Sequence, residues 1–103
     1  MRVKLVTKEI ERKMPELYST EEIPTDDKIL AVKFFAPWSN WTWYAVEFDA
    51  VDGVFFGYVE GHCGEWGAFS LAELESVRGP FGLKVERDRH WNPVKFSELN
   101  RAA

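Results

Sequence analysis

Three segments rich in aromatic and β-branched residues follow one another between residues 29 and 61, with only short connections between them. Pro37-Trp38-Ser39-Asn40 separates the first two segments, and Asp52-Gly53 is a hairpin-turn signal before the third. Connections this short join antiparallel neighbours, because a parallel pair needs a long crossover. The pattern therefore predicts an antiparallel meander of three strands, Ile29–Ala36, Trp41–Ala50 and Val54–Gly61.

Helix signals flank this meander on both sides. Thr7 is a candidate N-cap for a short helix that runs through about Met14. The capping box Ser70–Glu73 opens a second helix, which Gly79-Pro80 ends before a fourth predicted strand, Leu83–Arg89. We therefore predict an α+β fold: an N-terminal helix followed by an antiparallel sheet of about four strands, with one helix inserted before the last strand.

The size and charge of the chain limit its partners. Its 103 residues suit one hydrophobic core, so we predict a single domain over residues 1–103. The net charge of -4 disfavours a surface that grips polyanions on all sides. The charge is unevenly placed, because residues 1–75 carry 7 basic and 14 acidic side chains, whereas residues 76–103 carry 6 and 3. The basic C-terminal quarter could therefore bind an anion locally.

The sequence also indicates a compartment. Its first residues lack the apolar stretch of a signal peptide, and no segment has the length and hydropathy of a membrane-spanning helix. Cys63 is the single cysteine, so it cannot form an internal disulfide, and a lone thiol suits a reducing environment. We expect a cytoplasmic protein without a membrane partner.

Alternation along the predicted strands separates two faces of the sheet. One face is apolar and consists of Leu30, Val32, Phe34, Tyr44, Val46, Phe48, Phe55 and Val59. The other mixes charged residues with Phe35, Trp41, Trp43, Phe56 and Tyr58. These rings could stack bases or hold a peptide. Alternatively, a terminal segment covers them and makes a second, minor core, since large exposed apolar patches are uncommon on monomers.

The stretch from Glu86 to Trp91 combines residue types that bind nucleic acid. As a strand it would place Glu86, Asp88 and His90 on one side and Arg87, Arg89 and Trp91 on the other. Arginine binds phosphate bidentately and tryptophan can stack on a base. We predict a small non-enzymatic binding protein for single-stranded nucleic acid or RNA, with these candidate binding residues: Arg78, Arg87, Arg89, His90, Trp91, Trp41 and Trp43.

Other interpretations of the same residues remain open. His90 as acid, Glu86 as base and Arg89 as phosphate clamp are the groups that metal-free, ribonuclease-like cleavage requires. In a straight strand, however, positions 86 and 90 would lie about 13 Å apart. The acidic loop Glu21–Asp27 could instead contact a host protein by mimicking phosphates. A solvated strand of neighbouring ion pairs also accounts for the basic stretch.

We expect no metal and no cofactor. His62, Cys63, Glu65 and His90 are metal-ligand types, but the chain has no Cys-x-x-Cys or His-x-x-x-His pair that would bring ligands together. Its glycines do not follow the spacing of a phosphate-binding loop.

Two segments of the chain carry a family resemblance. They are Phe34-Phe35-Ala36-Pro37-Trp38-Ser39-Asn40-Trp41-Thr42-Trp43-Tyr44 and Gly64-Glu65-Trp66-Gly67-Ala68-Phe69-Ser70-Leu71-Ala72-Glu73-Leu74-Glu75. With Phe55-Phe56-Gly57-Tyr58-Val59, they resemble the domain-of-unknown-function family 2958 of small bacterial proteins. The resemblance implies an association with plasmids and other mobile elements, and it assigns no catalytic residues.

Overall fold

The computed structural model describes residues 4–99, which form two helices and two antiparallel sheets. A five-stranded sheet has the order β5-β4-β3-β2-β6, and β1 pairs with β7 in a separate two-stranded sheet. The elements in chain order are α1 (Lys8–Lys13), β1 (Ile29–Leu30), β2 (Val32–Phe35), β3 (Thr42–Asp49), β4 (Val54–Glu60), β5 (Gly64–Ser70), α2 (Leu71–Ser76), β6 (Glu86–Arg87) and β7 (Val94–Lys95). Single 3₁₀ turns occur at Thr25–Asp27, Pro80–Gly82 and Phe96–Glu98.

The mixed helix and antiparallel-sheet class is confirmed, but the predicted element plan was wrong in its details. The sheets contain seven strands in the described part of the chain, not about four. α1 begins at Lys8 rather than at the amino terminus, and α2 precedes two short strands rather than one. The predicted first strand divides after Leu30, since the next N–H, that of Ala31, donates to the Ala45 carbonyl (2.9 Å) while Leu30 pairs with Val94.

The side-chain caps explain where the two helices begin. The Thr7 hydroxyl accepts a hydrogen bond from the Ile10 N–H (3.2 Å), and the Ser70 hydroxyl accepts one from the Glu73 N–H (3.0 Å). Each bond satisfies a backbone donor that the first turn of a helix leaves unpaired. Ile10 then packs against the main core from α1, and Leu74 is buried on α2.

The main core lies on one face of the five-stranded sheet. Its buried residues are Leu5, Met14, Val32, Phe34, Ala45, Phe48, Phe55, Phe69, Leu74 and Val85. Phe55 is fully buried at the centre, and its ring contacts those of Phe34, Phe48 and Phe69. We call this group the first cluster.

The opposite face of the sheet holds a second cluster. Its buried residues are Leu30, Tyr44, Val46 and Tyr58, and it is covered by Trp66, Trp91, Val94, Phe96 and Leu99. Four of the five covering residues belong to the C-terminal segment, which crosses this face after β6. Of the five rings for which cover by a terminal segment was the alternative, Tyr58 lies in this second cluster, so that alternative is confirmed for Tyr58.

A β-bulge in β3 reverses part of the predicted face assignment. The β3–β4 register shifts between Ala45 (opposite Gly57) and Glu47 (opposite Phe56), which leaves Val46 as the extra residue. Before the bulge, Trp43 is paired with Phe34 and packs on the first cluster, whereas Tyr44 belongs to the second. Strict alternation along β3 had placed Trp43 and Tyr44 on the wrong faces, because one inserted residue inverts the order of the side chains.

Candidate nucleic-acid interface

The basic stretch forms a turn in the structure rather than a continuous strand. β6 contains only Glu86 and Arg87, so the predicted strand Leu83–Arg89 was too long. The Asp88 N–H donates to the Lys33 carbonyl (2.9 Å), and the Asp88 carboxylate accepts from the His90 N–H (2.9 Å). The Asp88 carbonyl also accepts from the Trp91 N–H (3.3 Å). Asp88 thus bends the chain immediately after β6, because its side chain and backbone supply the bonds that close the turn.

An open cleft lies between this turn and strand β2. Its volume is about 550 Å³. The residues that line it are Lys33, Phe35, Glu86, Arg87, Asp88, Arg89 and His90. We call this cavity the basic cleft, since three of its side chains are those of lysine or arginine, two are carboxylates and one is an imidazole.

The basic side chains of the basic cleft differ in their exposure and in their contacts with other groups of the protein. The Lys33 ammonium lies 3.9 Å from the Asp88 carboxylate and 5.4 Å from the centre of the Trp91 ring. The Arg87 Nε donates to the Lys4 carbonyl (3.0 Å), which ties the guanidinium to the segment that precedes α1. Arg89 and His90 are exposed at the tip of the turn. An incoming anion would meet these two side chains first.

Trp91 holds the turn against the sheet. Its indole N–H donates to the Leu30 carbonyl (2.9 Å), and its ring lies 5.5 Å from that of Tyr44. The ring is part of the second cluster and also lies under the Lys33 ammonium. The structure therefore gives Trp91 the role of an anchor for the C-terminal segment, and its faces are occupied by the protein.

The remaining predicted binding residues lie away from the basic cleft. Trp43 is on the opposite face of the sheet, since it pairs with Phe34 whereas the cleft residue Lys33 pairs with Tyr44. The exposed Trp41 ring lies 6.0 Å from the Trp43 ring. Arg78 follows α2 and donates to the Val77 carbonyl (3.0 Å). The structure brings together Arg87, Arg89 and His90, and it does not bring Trp41, Trp43 or Arg78 into the same cleft.

Sequence reasoning did not associate Lys33 and Phe35 with the basic stretch. Both alternate along β2 with buried Val32 and Phe34, so they belong to the less buried side of that strand. The pairing of Phe35 with Glu86 then brings this side next to β6. Two signals together could have identified these residues: the alternation along β2, and a pairing between the first and fourth predicted strands. A meander of consecutive strands does not specify that pairing.

Tyr44 and Glu60 form a second polar contact on the same face as Lys33. Burial is the main cause that raises the pKa of the Tyr44 phenol to about 12, and the nearby Glu60 carboxylate adds to it by charge and hydrogen bonding. Both effects disfavour the phenolate, which would be desolvated and close to another negative charge. Tyr44 therefore stays neutral at physiological pH and acts as a hydrogen-bond donor.

This assignment predicts how the tyrosine absorbance changes with pH. The folded pKa of Tyr44, about 12, exceeds the ordinary value of 10.0, so the free energy of unfolding falls as the pH rises from 10 to 12. We expect one of the three tyrosines to ionise in a late phase near pH 12. Tyr44→Phe should remove that phase, and Glu60→Gln should move it to lower pH. A late phase that persists in Tyr44→Phe would contradict the assignment.

Within residues 4–99, no three His, Cys, Asp or Glu side chains are grouped so that they could hold a metal ion. The exposed Cys63 thiol lies 3.6 Å from the Glu65 carboxylate. The acidic residues Glu21, Glu22, Asp26 and Asp27 are exposed, and Asp27 lies 3.8 Å from the Lys95 ammonium. The same described residues include no helix long and apolar enough to cross a membrane.

The fold and the basic cleft define a small α+β protein with a five-stranded antiparallel sheet and an exposed cationic turn beside one edge strand. Residues 5–103 match the family described as Protein of unknown function (DUF2958). The match covers nearly the whole chain, so the protein belongs to this family and the resemblance is confirmed. Neither a curated protein nor a solved structure matches the chain.

Proposed function

We propose that the protein is a small non-enzymatic binding protein that contacts single-stranded nucleic acid, DNA or RNA, through the basic cleft. The observation that carries the proposal is that Arg87, Arg89 and His90 line one open cavity together with the half-buried Phe35. Guanidinium groups bind phosphate oxygens, and an aromatic ring offers a platform on which a base can stack. Both requirements of single-strand binding are present within one cleft.

The charge of the molecule indicates what kind of complex to expect. The whole chain carries a net charge of -4, and Glu86 and Asp88 lie among the cations of the cleft. Few phosphates can therefore be neutralised, so the affinity should depend only weakly on salt. A short single strand fits this arrangement better than a duplex, because its bases are free to reach Phe35. An association with plasmids or other mobile elements, which the family resemblance implies, belongs to the same proposal.

Fluorescence anisotropy with labelled single-stranded RNA and DNA at low salt tests the proposal. Arg89→Ala should weaken binding by about tenfold and reduce the slope of log affinity against log salt by about 1, because one phosphate contact is lost. Arg12→Ala is the matched control, since it removes an exposed arginine from α1, away from the cleft. No binding by the parent chain, or equal losses in the two variants, would contradict the assignment.

A second candidate function is supported by the turn at Asp88. Glu86, Arg89 and His90 line one cleft, although a straight strand would hold the first and last of them about 13 Å apart. This places a carboxylate, a guanidinium and an imidazole around one cavity, as ribonuclease-like cleavage requires. The labelled RNA distinguishes the two candidates: cleavage by the parent chain that His90→Ala abolishes supports the enzyme, and intact RNA supports binding alone.

A further inference from the structure

A cavity separate from the basic cleft lies between the five-stranded sheet and the loop that follows α1. Its volume is about 350 Å³. The residues that line it are Leu17, Tyr18, Glu21, Lys28, Glu47, Val54, Phe56 and Ala68. We call it the loop cavity. Its size falls at the lower end of the range of about 300–1,000 Å³ that small-molecule sites occupy, so it suits a ligand with one small ring system.

Three neighbouring strands provide the floor of the loop cavity. Glu47 on β3 is paired with Phe56 on β4, which is paired with Ala68 on β5, so the three side chains form one row across the same face of the sheet. Val54 lies on the same face, two residues before Phe56. Phe56 is half-buried and its ring stacks on that of Trp66 at 5.7 Å. Beyond Glu47 the floor is therefore apolar, and it includes an aromatic ring.

Buried hydrogen bonds hold the loop against this floor. The Glu47 carboxylate accepts from the Tyr18 N–H (2.8 Å) and the Thr20 N–H (3.0 Å). The buried Lys28 ammonium donates to the Thr20 carbonyl (2.7 Å). The loop is thus fixed by contacts within the chain, and the cavity is already formed before any ligand arrives, as is usual for small-molecule sites.

Tyr18 adds a strained and exposed aromatic residue to the lining of the loop cavity. Its φ of 68° lies in the left-handed region, which is unfavourable for residues other than glycine. Its side chain is 73% exposed although it lines the cavity. Strained residues of this kind cluster at binding sites, where the surrounding structure holds them in place. Tyr18 and Phe56 therefore give the cavity two aromatic side chains.

The charges that line the loop cavity favour a cation. Glu47 and Lys28 are both buried in the lining, and their opposite charges offset each other. Glu21 is the remaining charged side chain of the lining, and it is exposed. Within residues 4–99, no basic side chain forms an ion pair with Glu21. An ammonium group can therefore pair with the Glu21 carboxylate without displacing a partner, whereas a carboxylate would be repelled.

We propose that the loop cavity binds a small aryl-alkyl amine, a molecule with one aromatic ring system and one ammonium group. The ring packs against Phe56 and Tyr18, and the ammonium group pairs with Glu21 at the exposed side of the cavity. Aromatic rings pack favourably on one another in offset or edge-to-face arrangements. An exposed ion pair adds only a modest preference, so the ring supplies most of the affinity and the charge supplies the selectivity.

Three indole compounds test this selectivity, since tryptamine, tryptophol and indole-3-acetate carry the same ring on a short chain that ends in an ammonium, a hydroxyl or a carboxylate. Each is titrated into the isotope-labelled full chain and followed by nuclear magnetic resonance. Tryptamine should shift the amides of Tyr18, Glu21, Phe56 and Ala68 to saturation and bind about threefold more tightly than tryptophol, with indole-3-acetate weakest. Amides of the basic cleft should not move, so the result is independent of nucleic-acid binding.

Two pairs of variants separate the charge of the site from its shape. Glu21→Gln should weaken tryptamine about threefold and leave tryptophol unchanged. Glu22→Gln is its control, because Glu22 is an equally exposed neighbour that does not line the cavity. Ala68→Phe should weaken both compounds at least about tenfold, since a ring at this exposed position fills the β5 side of the floor. Ala72→Phe, on the exposed side of α2, should change neither affinity.

Far-ultraviolet circular dichroism verifies that each variant is folded, and the unchanged affinity of Glu21→Gln for tryptophol verifies that its cavity is intact. Saturable binding in the order tryptamine, tryptophol, indole-3-acetate, with tryptamine weakened by Glu21→Gln alone of the two glutamine variants, supports the proposal. No saturable shift with tryptamine, equal affinities for the three compounds, or equal losses in Glu21→Gln and Glu22→Gln would overturn it.

Discussion

Phe55→Ala should lower the free energy of unfolding by about 3–5 kcal/mol, the range for removing a buried aromatic side chain. Phe55 is fully buried, and its ring centroid lies 4.4 Å from that of Phe48 and 5.1 Å from that of Phe69. The Phe34 ring meets it edge-on at 5.3 Å. The four rings come from strands β2, β3, β4 and β5, so alanine would leave a cavity where four strands meet.

Urea denaturation monitored by tryptophan fluorescence measures this change. Phe81→Ala is the matched control because it removes the same atoms from a fully exposed ring, and its effect should stay within about 0.5 kcal/mol. Equal stabilities for Phe55→Ala and the control would contradict the position of Phe55 at the centre of the first cluster.

Glu47→Ala should destabilise the fold by about 3 kcal/mol, because it removes a buried acceptor from several donors at once. Glu47 is 3% exposed on β3. Its carboxylate accepts from the Tyr18 N–H (2.8 Å), the Thr20 N–H (3.0 Å) and the Thr20 hydroxyl. The buried Lys28 ammonium donates to the Thr20 carbonyl (2.7 Å) and joins the same network. Alanine would leave two backbone donors without the acceptor that holds the 17–23 segment against the sheet.

Thermal unfolding followed by circular dichroism tests the role of Glu47. Glu22→Ala is the matched control, since this exposed carboxylate belongs to the loop that Glu47 holds. The control should unfold at the temperature of the parent chain, whereas Glu47→Ala should unfold several degrees lower. Coincident transitions for the two variants would show that the buried hydrogen bonds add no net stability.

Local sequence signals predicted the parts of the fold that depend on near neighbours. The central strands β2, β3 and β4 lie within the three predicted segments, and Thr7 and Ser70 cap helices as expected. These signals work because turns and caps depend on residues only a few positions apart.

The assignment of residues to the two sheet faces depended on contacts that alternation along a single strand does not reveal. Val46 looks like an ordinary strand residue, yet it is the extra residue of the bulge and reverses the order of Trp43 and Tyr44. Alternation assigns Glu47 to the sheet face that mixes charged residues with aromatic rings, but Glu47 is buried because backbone donors from a distant loop reach it. Both outcomes depend on contacts distant in sequence, as does the separation of Trp41 and Trp43 from the basic cleft.

The candidate site was predicted in part. Arg87, Arg89 and His90 line one cleft, although the predicted strand had placed His90 on the opposite side from the two arginines, and Trp91 anchors the turn through the Leu30 carbonyl. Its contribution to packing could not be derived from the local pattern, because Leu30 is 61 positions earlier in the chain. Lys33 and Phe35 join the cleft for a similar reason, since their strand pairs with β6 across the intervening sequence.

Nuclear magnetic resonance titration of the isotope-labelled parent chain with a short single-stranded RNA tests the proposed function most directly. The account predicts that amide shifts are confined to Lys33, Phe35 and the segment from Glu86 to His90, which form the basic cleft. Exposed residues of the acidic loop Glu21–Asp27 should not shift. A titration that leaves the cleft amides unchanged, or moves chiefly those of the acidic loop, would contradict the account.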